Sequence, residues 1–84
     1  IYALGAILFT CLTGRPPFQA DSIPVILKQV IEQPPPSPRS LNPQVPRDLE
    51  TICLKCLEKH PAQRYQSAAE VAAELGRFLS GTPI

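Results

Sequence analysis

The sequence predicts an all-α chain of four helices, one apolar helix at the centre with three amphipathic helices around it. Three observations carry this prediction. Residues 1–12, IYALGAILFTCL, are apolar around the whole helix circumference. Three later stretches repeat their apolar residues at helical spacing. The prolines fall outside these stretches, or in a first turn, where they punctuate helices without breaking them.

In the first stretch only Tyr2, Gly5 and Thr10 interrupt the aliphatic, aromatic and thiol side chains, and no charge precedes Arg15. A surface helix has a polar face; this one has none, so it is expected to lie buried at the centre, with Cys11 packing as a small hydrophobe. About twelve residues of helix span only ~18 Å, short of the ~20 residues a bilayer crossing needs. The flanks of a signal peptide, basic residues before and a small-residue cleavage site after, are not found. The chain opens inside this helix without methionine or capping residue, and is expected to be a segment of a longer one.

Thr13-Gly14 ends the first helix, Gly14 taking the left-handed conformation common after a helix C-terminus, and Pro16-Pro17 forbid its continuation. Phe18 is expected as a buried anchor for this loop. Asp21 or Ser22 can cap the second helix, 22–32, with Pro24 tolerated in its first turn. Ile23, Ile26, Leu27, Val30 and Ile31 form its apolar face, with Lys28 and Glu32 opposite. Residues 33–46 read as a stiff proline-rich connector tied down by Leu41 and Val45. The third helix covers about 47–58. Leu49, Ile52, Cys53, Cys56 and Leu57 make its stripe, while Arg47, Glu50, Lys55, Glu58 and Lys59 face water. Pro61 stops it. Ser67 and Glu70 form a capping box for the last helix, 68–79, whose inner face is Val71, Ala72, Leu75, Phe78 and Leu79.

A net charge of +1, from eight basic and seven acidic residues, gives no electrostatic ground for nucleic-acid or anionic-membrane partners. Three cysteines are an odd set for a secreted disulfide framework and fit a reducing, cytoplasmic setting. Cys53-x-x-Cys56 with His60 supplies three potential metal ligands, one short of a closed zinc site, and both thiols fall on an apolar stripe; they are assigned to the core. His60 has no serine or cysteine placed as a nucleophilic partner. The four glycines, at 5, 14, 76 and 81, form no phosphate cradle. The last helix offers Arg77 against Glu70 and Glu74, which is no basic recognition face. No residue is assigned a catalytic, cofactor-binding or metal role. Arg64 stands apart: an arginine in a tight segment between helices is suited to a partly buried, bidentate pair with a carboxylate, with a solvated loop arginine as the alternative.

Ile1-Tyr2-Ala3-Leu4-Gly5, then Leu12-Thr13-Gly14-Arg15-Pro16-Pro17-Phe18, then Cys56-Leu57-Glu58-Lys59-His60-Pro61-Ala62-Gln63-Arg64-Tyr65 resemble, in that order, the C-terminal lobe of a bacterial eukaryotic-like serine/threonine protein kinase. The closing Phe78-Leu79-Ser80-Gly81-Thr82-Pro83-Ile84 is similar to the end of such domains. The resemblance implies that residues 1–84 are the C-terminal part of a kinase domain, without N-lobe, catalytic loop or activation segment. Tyr2 and Gly5 match the aromatic and glycine of a D-x-[WY]-[SA]-x-G helix on which the lobe is built; its aspartate would directly precede Ile1. Arg64 corresponds to the arginine of an x-P-x-x-R element and implies an ion pair with the glutamate of an upstream A-P-E motif. His60 departs from the aspartate more usual before that proline.

The family's glycine loop, phosphate-anchoring lysine, H-R-D aspartate and D-F-G aspartate occur nowhere in residues 1–84. By this resemblance the whole protein transfers the ATP γ-phosphoryl group to serine or threonine with magnesium. Its partners are the rest of the kinase domain and protein substrates. It acts in the cytoplasm, whether or not a membrane anchor lies elsewhere. The segment itself is expected to be an inactive scaffold binding neither ATP nor Mg2+. A different class stays open: a stand-alone helical interaction module, or a degenerate kinase remnant, which would cover its first helix within the 84 residues.

Overall fold

The computed structural model describes residues 1–84. It is all-helical, as the sequence predicts, with α1 (Tyr2–Thr13), α2 (Ile23–Glu32), α3 (Pro38–Leu41), α4 (Arg47–Cys56), a 3-10 turn (Pro61–Gln63) and α5 (Ala68–Leu79).

The packing centres on α4. Ile52, Cys53 and Cys56 are 0 % exposed and the adjoining Leu57 1 %. On one side Cys53 and Leu57 meet Phe9, ringed by Tyr2, Ala6, Leu12 and Leu41. On the other, Ile52 and Cys56 meet Tyr65 and Val71, with Leu49, Leu75 and Phe78 at the margin. The apolar stripe predicted for the third helix is therefore the core. The first helix departs from expectation: it is buried along Gly5 and Phe9 only, while Leu4 is 43 % and Ile7 61 % exposed, and Cys11 lies open rather than packed. The cause is shape. The Cα atoms span 41 × 29 × 15 Å, and the short dimension holds no more than two helix layers, whose axes lie ~8–10 Å apart inside Cα cylinders of radius ~2.3 Å. A helix in such a slab is covered on one side.

Ends and connections follow local chemistry. Gly14 sits at φ 82° and its amide closes on the Thr10 carbonyl at 2.8 Å, while Asn42 Nδ2 donates to the Leu12 carbonyl at 3.0 Å. Ser22, not Asp21, caps α2 by accepting from the Val25 amide at 3.4 Å. The apolar face of α2 points mostly outward, with no buried residue and with only Ile26 and Val30 of that face partly covered. Phe18 is half-buried, and it is Pro17 beside it that is buried.

α3 is a fifth helix where a plain connector was expected. Its N-terminal cap comes from α4: Ser37 Oγ and the Arg39 amide (3.0 Å) both donate to Glu50 Oε2. Those bonds, Ser37 first, hold the Glu50 carboxyl below the usual carboxylate range. Glu50 is thus partly covered, not a water-facing charge. Leu41 and the buried Val45 do tie this segment down. Helix α4 ends at Cys56, two residues earlier than predicted.

Ser67 Oγ accepts from the Glu70 amide at 3.2 Å, as a capping box requires; the Glu70 carboxylate reaches the Gln66 amide (3.2 Å), one residue before the expected Ser67. On α5, Val71, Leu75 and Phe78 face the core, but Ala72 and Leu79 are exposed. No helix is long and apolar enough to cross a membrane.

Candidate functional site

The residues singled out by sequence gather where the start of α1 meets the end of α4. Gly5 marks the crossing. A Cβ there would lie 2.6 Å from Cys56 Cβ and 3.1 Å from Leu57 Cδ2, so the two helices approach as closely as they do because the side chain is missing. The Cys53 thiol donates to the Gly5 carbonyl at 3.5 Å. Burial, with Cys56 and Glu50 adding to it, pushes the Cys53 thiol up to about 12, and burial raises Cys56 as well. Both are protonated core thiols, far from the low-pKa state a reactive cysteine needs. His60 is exposed and joins them in no cluster.

One turn back along α1, Tyr2 lies beneath Arg64, with the guanidinium carbon 5.1 Å from the ring centroid. Arg64 Nε donates to the Glu58 carbonyl at 2.7 Å and Nη2 to the Lys59 carbonyl at 3.3 Å. These carbonyls lie just past α4, where helix-end acceptors lack amide partners. A planar fork reaches both while its face lies on the Tyr2 ring, a combination a point-charge ammonium does not offer. Within residues 1–84 Arg64 pairs with no carboxylate, the one ion pair being Arg77–Glu74, and its Nη1 has no hydrogen-bond partner. The Tyr2 hydroxyl is buried without a partner too. Burial raises the Tyr2 pKa and the Arg64 charge opposes that rise. The junction thus holds an arginine with one free edge beside an unsatisfied phenol.

The sequence reading missed Lys59, which it placed in water. The residue is half-buried. Its Nζ donates to the Val30 carbonyl of α2 at 2.7 Å and lies 4.6 Å from the centroid of the Phe18 ring. Burial, then the Arg64 charge, lowers its pKa. A signal for it existed in Pro34-Pro35-Pro36: prolines strip amides from the end of α2, so its carbonyls need a donor from elsewhere.

No protein-family model matches the chain. Over 83 residues it is 40 % identical to serine/threonine-protein kinase PknB of Mycobacterium tuberculosis (strain H37Rv), covering 99 % of this chain and 13 % of that protein. PknB of Mycobacterium leprae is 41 % identical over 83 residues, with the same coverage. A probable serine/threonine-protein kinase of Streptomyces coelicolor is 36 % identical over 84 residues, all of this chain and 12 % of that protein. The chain is a homologue of bacterial serine/threonine protein kinases. It spans only 12–13 % of the length of these relatives. Because the match to the Streptomyces kinase covers the whole chain, Tyr2, Gly5, Lys59 and Arg64 all lie inside the kinase-homologous stretch.

Proposed function

We propose that residues 1–84 form the lower part of the C-terminal lobe of a kinase that transfers the γ-phosphoryl group of ATP to serine and threonine hydroxyls. In this reading they supply helical scaffold, and the nucleotide-binding and catalytic groups lie elsewhere in the protein. The observation that carries it is the kinase similarity along 99 % of the chain. The ordered D-x-[WY]-like and x-P-x-x-R-like elements at Tyr2, Gly5 and Arg64 support it. The free Nη1 edge of Arg64 is then the place for the A-P-E glutamate, a charge-assisted pair that would fix the activation segment to the end of α4. The exposed Leu4–Ile7–Cys11 face of α1 is where the rest of the kinase domain packs. The same exposed face speaks against a self-sufficient interaction module.

ATP and Mg2+ serve the whole enzyme, but the side chains here do not fit them. No three His, Cys, Asp or Glu residues converge, and the concavity between Arg15 and Pro36 is lined chiefly by prolines and glutamines, with Arg15 as its one cation. What these residues do is hold: Gly5 sets the α1–α4 distance and Arg64 closes the end of α4. Protein substrates, and a cytoplasmic kinase domain, belong to the same proposal.

The test is radiolabelled phosphoryl transfer. The full-length protein with ATP and Mg2+ should label serine or threonine in a generic basic protein, and the isolated 84-residue chain should neither bind ATP nor label it. Nucleotide binding by the isolated chain would overturn the scaffold reading; phosphotyrosine alone from the full-length protein would overturn the substrate class.

A further inference from the structure

Helix α2 is the element least secured by its own packing. Ile23, Leu27 and Ile31 are 73 %, 56 % and 73 % exposed, and no other helix packs extensively on it. Its C-terminal turn also has a chemical deficit. The Gln29 carbonyl receives the Gln33 amide at 2.8 Å, but the next acceptor, Val30, would need an amide from residue 34, which is proline. α2 carries no basic residue in that last turn to compensate.

Lys59 fills the gap from the segment just past α4. Its bond to the Val30 carbonyl is the one hydrogen bond reaching α2 from outside residues 22–33. An ammonium there completes the open acceptor and faces the negative end of the helix dipole. The same Nζ lies over Phe18, in the loop leading into α2, so one charge grips the segment before the helix and the end of it. Lys59 is itself held through its carbonyl by Arg64, which rests on Tyr2.

We propose that Lys59 is a charge-dependent latch: α2 is a hinged arm whose docked position is fixed by this one ammonium, and loss of the charge frees α2 while the α1–α4–α5 body stays folded. The Lys59–Val30 bond it is argued from lies wholly within residues 1–84 and does not depend on the kinase reading. The test is amide hydrogen exchange, followed by mass spectrometry, on the full-length protein containing this chain. Lys59→Met should accelerate exchange in residues 26–33 about tenfold, the scale of one charge-assisted helix-end contact, and leave α4 and α5 at their wild-type rates. Lys59→Arg, which keeps charge and donor, should restore wild-type exchange. Phe18→Leu removes only the ring and should give a smaller acceleration confined to the same residues. Unchanged α2 exchange in Lys59→Met overturns the latch. So does acceleration spread equally over α2, α4 and α5, which would make Lys59 a general stabiliser.

Discussion

Gly5→Ala puts the α1–α4 contact to a direct test, because two known effects oppose each other. In a helix alanine is favoured over glycine by about 1 kcal/mol, so on propensity alone the variant gains stability. Against this, the new methyl would sit 2.6 Å from Cys56 Cβ, and reaching ordinary contact at 3.4 Å requires a retreat of about 0.8 Å. Cys56 and Leu57 are 0 % and 1 % exposed. The nearest atom is a Cβ fixed to the α4 backbone, so the helix must move and no rotamer can relieve the clash. Overpacking of this kind costs about 1–3 kcal/mol, and a rigid obstacle places it near the upper end. The net expectation is a loss of about 2 kcal/mol, or a Tm lower by roughly 8–16 °C for a chain of this size. Gly76→Ala is the matched control, since nothing lies within 4 Å of its added methyl; it should gain up to about 1 kcal/mol. Thermal and urea unfolding followed by circular dichroism read both. A Gly5→Ala chain as stable as Gly76→Ala would refute the close crossing.

Other outcomes follow from the same contacts. Arg64→Lys should lose about 1–3 kcal/mol in urea unfolding and barely improve on Arg64→Ala, because an ammonium cannot span two carbonyls and stack on Tyr2. Glu50→Ala should cost about 1 kcal/mol by removing the partly exposed acceptor of Ser37 and Arg39, with faster amide exchange in α3 as its local signature. Since the folded Glu50 pKa lies below its ordinary 4.5, that contribution is present above pH 4.5 and fades as pH falls through the folded value. Alkali acts with the opposite sign on two buried acids. Cys53 rises from 9.0 to about 12 and Tyr65 from 10.0 to about 12, so their neutral forms stabilise the fold fully below pH 9. That stability drains between pH 9 and about 12, and Cys53→Ala should flatten the alkaline limb of a stability–pH curve.

Periodicity and punctuation made most of the fold legible. The stripe of α4, the glycine end of α1, the Ser22 and Ser67 caps and the extent of α5 are each dictated by residues within a turn or two of the feature. What escaped was written across longer separations. α3 takes its cap from Glu50, eleven residues beyond the Arg39 amide. Lys59 reaches Val30 across 29 positions. A pattern read along one helix places both charges on a polar face and has no means of seeing the acceptor or donor that awaits them. The first helix misled for another reason: composition reports how much apolar surface a helix carries, and only the architecture decides how much of it is covered. Of the site, Tyr2 and Gly5 came from motif resemblance and Arg64 from its place between two helices as well, and neither signal says that they touch α4, the phenol ring or the Glu58 carbonyl.

In the proposed scaffold role the outer face of α1 is covered by the rest of a kinase domain, and Cys11 reports on that face. Maleimide labelling should be timed on the native 84-residue chain and on the native full-length protein, with the labelled thiol located by mass spectrometry. Cys11 should label fast in the chain, where it is exposed while Cys53 and Cys56 are buried. In the full-length protein Cys11 should become as slow as Cys53. Equal, fast labelling of Cys11 in both would mean that nothing packs on this face, and would contradict the scaffold account.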